Sequence, residues 1–332
     1  MKRHLLASVL LGAVVSLASY PAVSAEFEWN FFTSFGSSDD GTKLHREFAK
    51  DLEHATDGRL KVTVYAGGEL PYKGPDVLRV LSGNQIQMGH MSVGFIAGDL
   101  PTIDVFSIPF ECTSFDAFYD KIESVIEDDV KQAMTAKFDA IPLMNFVMPA
   151  QELWIDRPVN SLDDLKNTKI RAWNREQSEV MRMLGGTGTS ITSAEVIPAL
   201  QRGVVNGAFT AALNAKAWKL YEVVNYGYML DFSLSHEIIG VNKDAFNALP
   251  EDMQSIVLEV SKKWLPIYRE RLATVDHEAR EFLTENGMTL QDPTDSDAQH
   301  LRELAAPIGN AWAQKNGELS ERLLETVRSN CQ

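Results

Sequence analysis

The chain has 332 residues, of which 45% are hydrophobic, and a formal net charge of −15 at pH 7. This length predicts two domains or one large one, with enough apolar residues to build ordinary cores. The acidic balance argues against nucleic acid and anionic lipid as partners. It also means that an anionic ligand would have to be held by a local positive charge, against the field of the whole protein.

The first 25 residues have the pattern of a cleaved secretory signal peptide. Lys2 and Arg3 are basic, an apolar stretch runs from Leu5 to Leu17, and Val23–Ala25 supplies the small residues of a cleavage site. Its removal would change the net charge from −15 to −17. No cysteine stands at the cut, so no lipid anchor is expected, and no later apolar run approaches the ~20 residues needed to cross a bilayer. We therefore expect a soluble protein of the periplasm.

The first half of the mature chain alternates strands and helices. Apolar residues at every second position predict strands around 27–31, 60–64 and 86–88, and helical spacing predicts helices around 44–52 and 75–81. Such alternation is typical of an α/β fold with mostly parallel strands and right-handed crossovers.

The alternation restarts after Pro149, which predicts a second lobe. Strands are predicted at 169–173, near 189–191 and at 204–209, separated by helices that end near Gly185 and Arg202. Strand-like segments near 143–148 and 236–241 are candidate crossovers, and a long helix is predicted from Leu249 to Gly287. Lobes joined by strands imply a hinge and a cleft. We expect the first lobe to comprise 26–147 and 237–280, and the second 148–236 and 281–332.

Cys112 and Cys331 are the only cysteines. In an oxidising compartment two cysteines can pair, and this pair would tie the C-terminal tail to the first half of the chain. The alternative is two buried or free thiols, because spacing alone does not settle geometry. We favour the disulfide, since an exposed thiol beside the C-terminus of a secreted protein is a liability.

Arg171 is the most informative charged residue. It lies within the strand predicted at 169–173, after a short helix that opens with the capping-box spacing of Ser161 and Asp164. An arginine at the mouth of a βα unit presents a planar fork of donors that suits a carboxylate. From the strand alone, however, a surface ion pair is the more common role.

Motifs for catalysis, metals and nucleotide cofactors are missing from the sequence. It has no H-E-x-x-H, no cysteine cluster and no Walker loop. The nearest approach to a nucleophile elbow is His90–Gly94, in which His90 stands where the first glycine is needed, so a periplasmic hydrolase using Ser92 is a weak alternative. His236, next to Glu237, is interpreted as a surface or crossover residue. We expect neither an enzyme nor a cofactor.

Several segments carry a family resemblance with consistent spacing over nearly the whole mature chain. Asp163–Arg171 is similar to a D-L-K-G-x-K-[IL]-R pattern. Glu195–Gly207 is similar to E-x-x-x-A-L-Q-x-G-x-V-D-G, with Asn206 for the usual aspartate. Leu81–Gly89 gives a third match, and Ile108–Phe110 and Lys219–Val223 give weaker ones. Together they resemble the extracytoplasmic solute receptors of TRAP transporters, the DctP-like family.

The resemblance implies an α/β protein with the two-lobed periplasmic binding protein fold, a hinge and a central ligand cleft. Such a receptor closes over one small organic acid and delivers it to a membrane permease of two integral subunits. The resemblance also implies that Arg171 forms a salt bridge with the ligand carboxylate. A receptor for an ABC permease or a chemosensor would share the cleft but not these motifs. We expect a monomer that binds one ligand.

Two departures from the family pattern bear on the ligand. Thr210 stands where many members have an asparagine that contacts the ligand, and Gln151 stands where sialic-acid receptors have a second arginine. Arg157 and Lys73 are the only other nearby cations, and both are expected to face solvent. We therefore favour a monocarboxylate with an apolar or aromatic body, and a C4-dicarboxylate or a sugar acid is the alternative.

Further ligand contacts are expected from both lobes. Core packing is an equally good interpretation of each single aromatic residue among them. The expected contacts are Trp154, Trp173 and Asn214 from the second lobe, and Ser34, Phe35, Tyr72, Met91 and Ser92 from the first.

Overall fold

Two β-sheets, each covered by helices, form the protein. The computed structural model describes residues 25–331, so nearly all of the predicted signal peptide lies outside the described residues. The strands are β1 Phe27–Phe32, β2 Leu60–Tyr65, β3 Met88–Ser92, β4 Ala140–Met148, β5 Glu152–Ile155, β6 Lys169–Ala172, β7 Thr187–Ser190, β8 Gly207–Thr210, β9 Tyr226–Tyr228, β10 Ser235–Asn242 and β11 Thr289–Gln291.

The helices alternate with these strands, as the sequence predicts. Within the described part of the chain, no helix is both long enough and apolar enough to span a membrane. The α-helices are α1 Asp40–Ala55, α2 Val77–Ser82, α3 Val93–Ile96, α4 Phe115–Ala117, α5 Glu123–Phe138, α6 Arg175–Met183, α7 Val196–Gln201, α8 Ala212–Ala217, α9 Lys243–Asn247, α10 Glu251–Glu285, α11 Asp295–Asn316 and α12 Glu318–Asn330.

The first lobe is built on a five-stranded sheet with the order β2-β1-β3-β10-β4. Strands β1, β2 and β3 are parallel, whereas β10 runs antiparallel to both of its neighbours. The second lobe is built on a six-stranded sheet with the order β11-β9-β5-β8-β6-β7, in which β5 is the antiparallel strand. The expectation of mostly parallel sheets is therefore only partly right. Strands β5 and β10 each enter their sheet from the other lobe, which accounts for their reversed direction.

Four connections join the lobes, and the fourth is helix α11, which leads from the second lobe to α12 on the first. Strand β4 ends at Met148 and β5 starts at Glu152 in the other sheet, while β9 leads back to β10. The segments predicted as crossovers are therefore parts of β4 and β10. The third connection is the long helix α10, which packs against α1 and β4 of the first lobe and against α8 of the second.

The last helix, α12, packs on the first lobe. Its Leu323, Leu324 and Val327 share a core cluster with Phe106 and Phe118 of that lobe. The expected boundary assigns the whole segment 281–332 to the second lobe. Leu301 and Ala305 of α11 do share a core with that lobe, whereas Trp312 and Ala313 near the end of α11 already pack in the cluster of the first lobe. The apolar face of α12 needs a large buried surface, and the first lobe provides it.

A disulfide holds α12 in this position. Cys112 and Cys331 are bonded, with their Cα atoms 5.2 Å apart. An ion pair between Arg328 of α12 and Glu111 lies beside it. The structure thus pairs the two cysteines, which is the arrangement that the sequence analysis favours.

Candidate functional site

A narrow cleft with a cavity volume of about 30 Å³ lies between the two sheets. It opens where β3, β4, β6 and β8 end, so it sits at the carboxyl edges of both sheets, where open α/β sheets place their ligands. Its lining consists of aromatic, hydroxyl and amide side chains with one buried cation and one buried carboxylate, and comprises Phe35, Ser92, Phe95, Met148, Gln151, Arg171, Trp173, Ser193, Thr210, Asn214, Trp218, Ser235 and Glu237.

Arg171 supplies the cation, and its guanidinium is fixed. It is 3% exposed. Its Nε donates to the carbonyl oxygen of Ile191 at 2.8 Å and its Nη1 donates to that of Phe209 at 2.7 Å. The carbonyl of Ile191 follows β7, and the carbonyl of Phe209 lies within β8. The two strands that flank β6 therefore orient the guanidinium of Arg171 towards the cleft.

Burial of the charged guanidinium of Arg171 costs desolvation free energy. Burial lowers the pKa of Arg171 to about 9, which still leaves it protonated at neutral pH. Among residues 25–331, no aspartate or glutamate forms an ion pair with it, and the ring of Trp218 lies 5.5 Å from its Cζ. A buried cation is normally paired with an anion, so this side chain is well suited to an anionic ligand.

Aromatic rings from both lobes form the walls around Arg171. The rings of Phe95 and Trp173 meet edge to face, with their centroids 5.8 Å apart. A Cβ atom at Gly94 would collide with the ring of Trp173, so the glycine permits this close approach of the two lobes. Phe35 and Trp218 complete the apolar part of the lining.

Polar contacts also bridge the lobes around the cleft. Nε1 of Trp218 donates to Oδ1 of Asp39 at 2.9 Å, and the hydroxyl of Ser193 donates to the carbonyl oxygen of Ser34 at 3.3 Å. Burial raises the pKa of Asp39 to about 6. At the surface, Lys73 and Glu195 form an ion pair at 3.3 Å. The cleft is thus closed by contacts that only a close approach of the two lobes can make.

Most of the predicted contacts line the cleft, namely Arg171, Trp173, Thr210, Gln151, Asn214, Phe35 and Ser92. Four do not. Trp154 is fully buried and donates from Nε1 to the carbonyl oxygen of Thr210, and Met91 lies in the core of the first lobe. Tyr72 packs edge to face against Phe32 with a centroid distance of 6.1 Å. Ser34 takes part through its carbonyl oxygen alone.

The sequence interpretation missed Phe95, Met148, Ser193, Trp218, Ser235 and Glu237. Glu237 is the most consequential, because it is a carboxylate that is 1% exposed within a central strand. A signal for it existed, since a glutamate inside the apolar run of β10 needs a buried polar partner. The neighbouring His236, which the sequence indicates as a surface or crossover residue, lies in the crossover strand β10 but is buried. Its ring packs against Phe106.

The arrangement of this site in two lobes accords with comparisons to known proteins. Residues 36–316 match the family model described as "Bacterial extracellular solute-binding protein, family 7", named DctP. The chain belongs to this family. Its members are substrate-binding receptors and not enzymes, and they act outside the cytoplasm, so the interpretation of the sequence as a DctP-like receptor is confirmed.

Two curated relatives illustrate the family. The chain is 23% identical to the sialic acid-binding periplasmic protein SiaP of Vibrio cholerae over 92% of this chain and 94% of the relative. It is 24% identical to the C4-dicarboxylate-binding periplasmic protein DctP of Rhodobacter capsulatus, over 98% of this chain and 97% of the relative. Both alignments extend over nearly the whole of each chain.

Solved structures share the fold. A Bordetella pertussis extracytoplasmic solute receptor that binds pyroglutamic acid, DctP6, superimposes with a TM-score of 0.84 at 23% identity, covering 91% of this chain and 99% of that one. A TRAP periplasmic solute-binding protein from Chromohalobacter salexigens with bound D-glucuronate gives a TM-score of 0.82 at 23% identity, with the same coverage. These likenesses confirm the two-lobed α/β fold that the sequence predicts.

Proposed function

We propose that this protein is the periplasmic receptor of a TRAP-type uptake system and that it binds one small organic acid in the cleft. The observation that carries the proposal is the buried guanidinium of Arg171, which is held by two backbone carbonyls and has no carboxylate partner in the described chain. A ligand carboxylate placed on the remaining N–H groups would form a charge-assisted, bidentate pair. The receptor would then pass the ligand to the two membrane subunits of its permease.

Capture by such a receptor requires the lobes to move. The two strand crossings and helices α10 and α11 connect the lobes. The contacts of Trp218 with Asp39 and of Ser193 with Ser34 hold the lobes together at the cleft. A hinge at the connections would let the lobes separate and close again. We expect one ligand for each chain, because the cleft offers one buried cation.

The ligand that we propose is a monocarboxylate with a compact apolar or aromatic body. Aromatic rings form much of the lining, and neither Lys73 nor Arg157 reaches into the cleft, because each is exposed and paired with a carboxylate. Stacking on a ring such as Trp173 would contribute about 0.5–1.5 kcal/mol beyond the burial of area. Receptors with this fold bind pyroglutamic acid and D-glucuronate, both of which carry a single carboxylate.

Calorimetric titration of the mature protein with a panel of carboxylates tests the function. Pyroglutamate, mandelate, glucuronate and succinate represent a lactam, an aromatic acid, a sugar acid and a dicarboxylate. We expect one-site binding of a monocarboxylate and compaction in small-angle scattering when it binds. Chemical turnover of an acid without tight one-to-one binding would contradict a receptor function. Binding of succinate or glucuronate alone would contradict the ligand class and leave the receptor function intact.

Replacing Trp218 by phenylalanine should weaken the closed state. The variant keeps a ring near Arg171 but loses the N–H group that bridges to Asp39. A hydrogen bond of this kind contributes about 1 kcal/mol, so we expect roughly five-fold faster dissociation of the bound acid in stopped-flow measurements.

Trp264→Phe is the matched control for this variant. It also removes an indole N–H group that donates to an aspartate, Asp51, but this pair lies within the first lobe and away from the cleft. We expect the control to reduce stability and to leave the dissociation rate unchanged. Equal dissociation rates for Trp218→Phe and the wild type would show that the Trp218–Asp39 contact does not hold the lobes together.

A further inference from the structure

Glu237 is the second charged residue of the cleft lining, and it belongs to the first lobe. In the antiparallel ladder it pairs with Ser92 of β3 and with Phe146 of β4. Paired residues of antiparallel strands project from the same face of a sheet. Ser92 and Glu237 both line the cleft, at the edge of the sheet where β3 ends and β10 begins. Arg171 approaches the same space from the second lobe.

The carboxylate is positioned by its neighbours and can still accept a further donor. The hydroxyl of Ser235 donates to Oε1 of Glu237. Oε2 lies 2.9 Å from Nε2 of His90, which is ion-pair distance, although the geometry of a hydrogen bond is not met. An ionised carboxylate offers about four lone-pair sites on its two oxygens. Ser235 and His90 occupy at most two of them, so an N–H or O–H group of a ligand in the cleft can donate to the carboxylate.

The groups behind Glu237 hold it in place. Nδ1 of His90 is hydrogen-bonded to Oγ1 of Thr33 at 3.0 Å. Next to it, burial, with a contribution from His90, lowers the pKa of His45 well below its ordinary value, so His45 is neutral; its Nδ1 is hydrogen-bonded to the hydroxyl of Tyr268 at 2.6 Å. This packed network fixes the orientation of the carboxylate, and a fixed acceptor discriminates between ligands more strongly than a mobile one.

Resting on the proposed function, we propose that Glu237 selects acids that carry an N–H or O–H donor in addition to the carboxylate bound by Arg171. The ligand then lies between a cationic and an anionic pole, and its faces contact the aromatic walls. A site built to bond a donor rejects an analogue that lacks it, because its buried acceptor is left unpaired. A second carboxylate on the ligand would face Glu237, so dicarboxylates are excluded for the same reason. The predicted ligands therefore form a narrower class than all monocarboxylates with an apolar body.

Matched pairs of acids test this selectivity. Pyroglutamate and its lactone analogue, 5-oxotetrahydrofuran-2-carboxylate, have the same shape but differ in one N–H group. Mandelate and its methyl ether, 2-methoxy-2-phenylacetate, differ in whether they carry an O–H donor. We expect the donor-bearing member of at least one pair to bind the wild type about ten-fold or more tightly than its partner, as measured by calorimetry. The pair that shows the effect identifies whether the donor is a lactam or a hydroxyl group.

Glu237→Gln should reduce this preference to about three-fold or less, because the amide group presents donors as well as an acceptor. Glu47→Gln is the charge-matched control on the same lobe, since Glu47 is exposed and paired with Arg271; it should keep the full preference. Thermal unfolding of both variants reports whether they fold. Equal binding of both members of each pair by the wild type, or an unchanged preference in Glu237→Gln, would overturn the role of Glu237 and leave the receptor function standing. Tighter binding of succinate than of pyroglutamate and mandelate would also overturn it, whereas no binding of any acid would contradict the proposed function itself.

Discussion

Replacement of Arg171 by alanine should lower the affinity for the bound acid by roughly 30-fold to several-thousand-fold. The variant leaves the ligand carboxylate buried without its charged partner, and such a loss costs on the order of 2–5 kcal/mol. Arg171→Lys should recover only part of the affinity, because a point charge cannot reproduce the planar fork that the carbonyls of Ile191 and Phe209 hold in place. Calorimetric titration with the tightest-binding acid of the panel measures all three proteins.

Arg157→Ala is the control for the loss of a positive charge. Arg157 is exposed and pairs with Asp156 at 2.8 Å, outside the cleft. Its removal should leave the affinity within about two-fold of the wild type, because exposed ion pairs contribute little. An affinity of Arg171→Ala equal to that of the wild type would contradict the assignment of Arg171 to the ligand.

Removal of the disulfide with the pair Cys112→Ala and Cys331→Ala should lower the free energy of unfolding by about 2–5 kcal/mol. The bond joins residues separated by 219 positions, so it restricts a long loop in the unfolded chain. It also holds α12 against the first lobe, and neither cysteine lines the cleft. Urea-induced unfolding measures the stability, and calorimetry should find ligand affinity unchanged.

A reducing agent provides the internal control for this prediction. It should destabilise the wild type and have no effect on the double variant, whose chain has no other cysteine. If the reduced and oxidised wild type unfolded at the same urea concentration, the bond would not contribute to stability. If the affinity fell along with the stability, α12 would contribute to the cleft in a way that its packing does not indicate.

The sequence was sufficient to predict the two-lobed α/β fold and the part of the site that lies on the second lobe. Arg171, Thr210 and Gln151 lie at strand ends within or beside the recognisable motifs of the second lobe, so local pattern and family resemblance placed them. Alternating apolar residues likewise located β4 and β10 as crossovers. These features depend on short-range regularities that any single chain displays.

The rest of the site depends on register and on contacts between distant parts of the chain. Glu237 faces the cleft because β10 pairs antiparallel with β3, a register that periodicity alone does not define. Trp218 lines the cleft because its lobe lies close to Asp39 of the other lobe. Trp154 lies within strand β5, and its ring packs into the core. Composition cannot distinguish two tryptophans whose roles are decided by tertiary packing.

The most direct test of carboxylate capture is a calorimetric comparison of the tightest-binding acid of the panel with its primary amide. The two compounds share one body and differ only in the group that Arg171 would bind. We predict that the acid binds at one site per chain and that the amide binds at least about 30-fold more weakly, because the charge-assisted pair is lost. Equal affinities for acid and amide, or the absence of one-site binding by any acid, would contradict the account.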